Sequence, residues 1–144
     1  MESFYKSLYK AQSTLMLLFW KTWVFHWNVE GKDFPQLHEL FNKQYDFMFN
    51  ELDTLAEHIR TFNIKALGPL SVIQSTAAIE DVAITTDANT MLTTLLANQQ
   101  AFFDAAKELN EESNAANQPH TGNLAQQMMD DHGKMIWMLR STLK

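Results

Sequence analysis

The chain contains no cysteine. That excludes a disulfide framework, a thiolate nucleophile and any thiolate-bound metal. It has only 4 glycines and 3 prolines, too few for the many turns of an all-β protein. It also lacks a long apolar run. The longest unbroken one, Leu15 to Trp20, ends at Lys21, well short of the roughly 20 residues of a membrane span. Positive charge is scarce: 11 Lys and Arg stand against 17 Asp and Glu, for a formal net charge of −6. Such a field does not favour a polyanionic partner such as DNA. The start, Met1-Glu2-Ser3-Phe4-Tyr5-Lys6, has an acid where a secretion signal needs basic residues. The expectation is a soluble cytoplasmic protein with no membrane partner. What the chain has in quantity is core material: 10 Phe, 8 Met and 4 Trp in 144 residues. That suits one domain, residues 1–144, with a core that needs no covalent staples.

Hydrophobic periodicity predicts four long helices. The first runs from about Ser3 to Asn28, with Leu8, Leu15, Leu18, Phe19 and Thr22 at helical spacing. Trp20, Trp23 and Trp27 add a second stripe beside the first. A helix apolar on several sides is buried on more than one, and a subunit interface explains the excess. Gly31 ends this region. Asp33 is placed to cap a second helix, with Pro35 in its first turn, running to about Phe62. The stretch Asn63 to Thr86 is long and mixed, with room for a short helix over Ser71 to Thr76. A third helix is predicted from the Asp87 cap to about Ser113. A polar break covers Asn114 to Gly122, and a fourth helix covers Asn123 to Leu143. Two helical hairpins joined by a long crossover predict an all-α, ferritin-like four-helix bundle.

The chemistry-bearing residues lie around the first turn and along the second helix. His38, Asn42, Asp46, Asp53 and Glu57 fall within a sector of about 100° on that helix. Asp53 and Glu57 are one turn apart and face one way. Imidazoles and carboxylates together suit iron or zinc. Spacing then decides where a metal could sit. His38 and Asp53 are 15 residues apart, roughly 22 Å along one helix, so they cannot hold one ion within one chain. His26 lies beside His38 across the turn. Only a second chain crossing at a two-fold axis can bring His26 and His38 to Asp53 and Glu57. The Glu-x-x-His pairs of an intrachain di-iron site are absent: Glu57-His58 has the wrong spacing, and Glu108, Glu111 and Glu112 have no His three residues on.

His26-Trp27-Asn28-Val29, Gly31, Phe34, Leu37-His38-Glu39, Phe41, Tyr45 and Asp53-Thr54-Leu55-Ala56-Glu57 carry a family likeness. In these residues and their spacing the chain resembles the Dps family of mini-ferritins, named for a DNA-binding protein from starved cells. Ile136-Trp137-Met138-Leu139 adds a weaker likeness near the end. The resemblance implies a hollow homo-dodecamer with ferroxidase centres at two-fold interfaces. There Fe(II) is oxidised, preferably with hydrogen peroxide, and the ferric mineral is stored inside. It implies that His26 and His38 come from one subunit and Asp53 and Glu57 from its partner. His26, Asp53 and Glu57 would hold the tighter iron and His38 would help hold a second. Trp27 would lie beside the site and quench an oxidising equivalent.

Two departures from the family pattern stand out. Asn42 occupies the position, one turn after His38, where the family commonly has an acid, and a neutral amide is a poorer iron ligand. The stretch Gln118-Pro119-His120-Thr121-Gly122-Asn123 lacks the acids that often line the family's three-fold pore. Lys6, Lys10, Arg140 and Lys144 are all that the termini offer for DNA, so direct DNA binding is expected to be weak or absent. Trp20, Trp23 and Trp137 read as packing residues and the Met residues of the last helix as core filler. His58, His120 and His132 read as non-ligands. Two rivals remain: a structural or DNA-compacting shell with weak ferroxidase activity, and a metal-binding bundle that holds zinc or another ion without redox chemistry.

Overall fold

The computed structural model describes residues 1–144 as five helices: α1 Glu2–Asn28, α2 Phe34–Arg60, α3 Leu70–Thr76, α4 Ala88–Ala115 and α5 Pro119–Leu143. α1 packs on α2 and α4, α5 packs on α4, and short α3 lies against α1. The four long helices form the expected bundle. Its centre is filled by Leu8, Leu15 and Leu18 of α1, Phe41, Met48 and Leu55 of α2, Leu95 and Phe102 of α4, and Met128 and Leu139 of α5, all buried. No helix is long and apolar enough to cross a membrane.

The ends of the helices follow local chemistry. Asp87 caps α4 as expected: its carboxylate accepts from Thr90 N–H at 2.8 Å and from the Thr90 hydroxyl at 2.7 Å. These bonds hold the Asp87 carboxyl below its ordinary range. Asp33 precedes α2 at the cap position, but its side chain makes no capping bond. Pro35 starts that helix instead, because its fixed φ and missing donor suit a first turn. α5 begins earlier than the sequence break suggests, for the same reason: Pro119 sits in its first turn. α4 and α5 approach closely at Gly122, where an added Cβ would lie 3.1 Å from Asn110 Oδ1 and that side chain would have to give way.

The long crossover is held by α1 rather than by its own structure. Gln12 donates from Nε2 to Leu67 O and accepts from Leu67 N–H, both at 2.9 Å. The Tyr9 hydroxyl donates to Lys65 O at 2.8 Å, and Thr14 Oγ1 accepts from Ala78 N–H at 2.9 Å. At the far end, Glu30 N–H donates to Thr86 O at 3.0 Å, which ties the crossover to the α1–α2 turn. An extended segment meets its backbone hydrogen-bonding needs in this way without a sheet.

Trp20 and Trp137 do not pack as core residues. They are 41% and 54% exposed. Trp20 sits on the α1 stripe already in excess of what one bundle can cover.

Candidate metal centre

The α1–α2 turn places the two histidines. Gly31 adopts φ +125°, a conformation that side chains with a Cβ rarely take. The chain reverses there, and His26 at the end of α1 meets His38 in α2. Their rings stack with centroids 3.8 Å apart and planes 12° apart. His26 Nδ1 lies 2.8 Å from His38 O, and His38 Nδ1 lies 2.7 Å from His26 O. A carbonyl oxygen only accepts, so each Nδ1 carries the proton and donates. In the neutral ring the lone pair is then on Nε2. Metal-ligating histidines are commonly fixed in this way by a backbone carbonyl behind them. The donor set therefore fits a metal ion.

An aromatic wall surrounds the pair. Phe34 stacks on His38 at 5.0 Å, and Tyr45 meets His26 edge-on at 5.1 Å. Tyr45 stacks on Trp23 at 5.7 Å, Trp23 lies 5.0 Å from Trp27, and Trp27 lies 6.0 Å from Trp20. Trp27 is half-exposed at 50%. Sequence reading singled out Trp27 but assigned no role to Tyr45. The available signal was its position two turns beyond His38 on the same face of α2.

Asp53 and Glu57 lie on the solvent side of α2 and make no hydrogen bond or ion pair within the chain. α2 is unbroken from Phe34 to Arg60, so the acids remain roughly 22 Å and more from His38. No three His, Asp or Glu side chains gather around one point in the chain. The four candidate ligands thus form two separate halves, one of imidazoles and one of carboxylates. Asn42, one turn after His38, is half-buried.

The same side of the molecule is apolar. Phe49, one turn before Asp53, is 60% exposed and lies 5.8 Å from Phe19. A groove of about 510 Å³ runs beside it, walled by Met16, Leu17, Phe19, Trp20, Trp23, Leu52 and Leu70. Exposed apolar surface of this kind marks an interaction face.

The ferritin-like domain model matches residues 5–144. The chain belongs to the ferritin-like family. Among relatives of this ferritin-like chain, a DNA protection during starvation protein of Brevibacillus brevis is 25% identical over 129 residues, covering 90% of this chain and 87% of that one. The fold matches the Dps protein of Vibrio cholerae, a member of the ferritin-like diiron-carboxylate superfamily, with a TM-score of 0.94 at 22% identity. The match covers 99% of this chain and 90% of that one. It also matches a dodecameric thioferritin of Bacteroides fragilis with a TM-score of 0.92 at 16% identity, covering 99% and 84%. The likeness to Dps proteins drawn from His26 to Glu57 accordingly holds for the chain as a whole.

One polar cluster in the ferritin-like bundle was not legible beforehand. His132 of α5 is fully buried, with Nε2 2.6 Å from Glu51 Oε1 and Nδ1 2.5 Å from Gln99 Oε1. Gln99 in turn lies between the Met48 and Met135 sulfurs at 3.8 and 3.4 Å. It joins α2, α4 and α5 midway along the bundle.

Proposed function

We propose that this protein is a mini-ferritin that oxidises Fe(II) with hydrogen peroxide and stores the ferric product inside a hollow homo-dodecamer, protecting the cytoplasm from oxidative stress. The observation that carries the reading is the mutual lock of His26 and His38. It directs two Nε2 lone pairs away from the turn while the matching carboxylates, Asp53 and Glu57, stand unpartnered further along α2. A second protomer related by a two-fold axis brings its acids to these imidazoles. The exposed Trp20, Phe49 and Leu70 and the groove beside them supply the apolar contact for that pairing. The dodecameric thioferritin of Bacteroides fragilis, which shares the fold, supports the assembly, and the Brevibacillus and Vibrio Dps proteins support the mini-ferritin reading.

In this reading iron is the substrate. His26 with the partner subunit's Asp53 and Glu57 binds the tighter ion, and His38 helps to bind the second. Carboxylates are hard ligands that favour Fe(III) over Fe(II). Two ferrous ions each give one electron to one peroxide, whose O–O bond breaks to leave two hydroxide ions. Removing both reactants together prevents hydroxyl radical formation. The Tyr45, Trp23 and Trp27 rings lie beside the imidazoles and can absorb a stray oxidising equivalent. The half-buried Asn42 favours one second reading, a Dps-like shell with weak ferroxidase activity, because it replaces an acid with a poorer ligand.

Anaerobic Fe(II) loading followed by peroxide separates the two. The wild type is expected to oxidise iron quickly and keep it soluble. Asp53→Ala with Glu57→Ala is expected to abolish the fast phase while the particle size is unchanged. Fast oxidation in that variant would move the site elsewhere.

A further inference from the structure

Two histidines outside the proposed ferroxidase centre come together at the other end of α2. His58 lies in the last turn of α2 and His120 in the first turn of α5. Their ring centroids are 5.4 Å apart with planes 58° apart. Two imidazoles bound to one tetrahedral ion, with Zn–N bonds of about 2.0–2.1 Å, have ring centres about 5 Å apart. The observed spacing therefore suits a shared ion better than a stacked pair such as His26 and His38, at 3.8 Å. We propose that His58 and His120 form a separate cation site that binds a borderline divalent ion such as Zn²⁺, with water in the remaining positions.

The surroundings are arranged for this role. His58 Nε2 lies 2.7 Å from Thr121 Oγ1, and Thr121 is fully buried. The hydroxyl engages Nε2 and leaves Nδ1 as the ring nitrogen without a hydrogen bond, and supporting groups of this kind commonly orient metal-binding imidazoles. Phe62 stacks on His120 at 5.7 Å and meets His58 edge-on at 5.4 Å, so both rings are steered by one phenyl. Within one chain His120 is exposed and makes no hydrogen bond, so its ring nitrogens are free to take an ion. Imidazole nitrogen suits Zn²⁺ among the available divalent ions. The pair is 20 residues along α2 from His38, roughly 30 Å away, so the two sites do not share a ligand. The sequence reads both histidines as non-ligands, and at 62 positions apart no local pattern couples them.

The test is a calorimetric Zn²⁺ titration of the assembled protein carrying His26→Ala and His38→Ala, which removes the imidazoles of the proposed ferroxidase centre. One Zn²⁺ per chain is expected to remain, and adding His120→Ala is expected to weaken it by about tenfold or more. His120 is exposed, so that substitution leaves the fold intact. Circular dichroism of each variant checks this. Absence of Zn²⁺ binding in the His26/His38 variant, or unchanged binding after His120→Ala, would overturn the proposal and leave the two rings as packing around Phe62. Neither result bears on ferroxidase activity, which is measured with iron and peroxide on the wild type.

Discussion

The stacked histidines at the α1–α2 turn show how much a single residue decides. Gly31 supplies the positive φ that reverses the chain, and each imidazole then orients the other through a backbone carbonyl. Lys21 makes a different point. It is 3% exposed, with one hydrogen bond, to Asn98 Oδ1 at 2.5 Å. Burial pushes its ammonium below the ordinary value of 10.5, partly offset by Asp81 and Glu80. A lowered Lys value means that the unfolded chain binds more protons in the window just under 10.5. Stability should therefore rise with pH as the solution passes through the folded value, and the cost is fully present below it. Lys21→Met removes that buried charge. It is expected to be more stable than the wild type at pH 7 by about 1 kcal/mol and to lack the alkaline rise in denaturation midpoint. A midpoint that falls at pH 7 would show that the ammonium stabilises the crossover.

At the scale of elements, the helices were legible because their periodicity is long and regular. Leu92, Leu95, Phe102 and Leu109 repeat through α4, and all four are buried. Ends were less legible. Pro119 reads equally well as part of a polar break or as a first helical turn, and the structure makes it the latter. The imidazole half of the candidate site could be read from the hairpin, since His26 and His38 flank a short turn. The Glu51–His132 pair could not, because 81 positions separate its members and no local pattern couples them. This pair bridges α2 and α5, beside a cavity of about 280 Å³ lined by Phe47, Thr54, Leu124 and Asp131 among others. Removing one partner strands a buried polar group. His132→Ala is expected to cost about 3 kcal/mol in denaturant unfolding. Met at 132 together with Glu51→Gln should recover part of the loss. A loss under a few tenths of a kcal/mol would mean that solvent reaches Glu51 freely.

At the scale of the whole molecule, the chain presents an aromatic face that its own bundle does not cover. Trp20, Trp27, Phe49 and Leu70 are all substantially exposed. In the proposed two-fold pair, burying that face would also bring the separated ligand halves together, so assembly and chemistry would depend on the same surface. The net charge argues against nucleic acid: each chain is −6, and phosphate binding needs clustered cations to release counterions. A mobility-shift assay at moderate salt is expected to show no stable DNA complex, and a stable complex would contradict this reading.

Co-expression of two inactive variants most directly tests whether the ligands are shared between subunits. One variant carries His26→Ala and His38→Ala, the other Asp53→Ala and Glu57→Ala. If each centre takes imidazoles from one subunit and acids from its neighbour, random mixing rebuilds about a quarter of the centres, and fast peroxide-dependent iron oxidation returns to about that level. If the mixed particles assemble yet stay as inactive as either parent, the four residues do not meet across an interface.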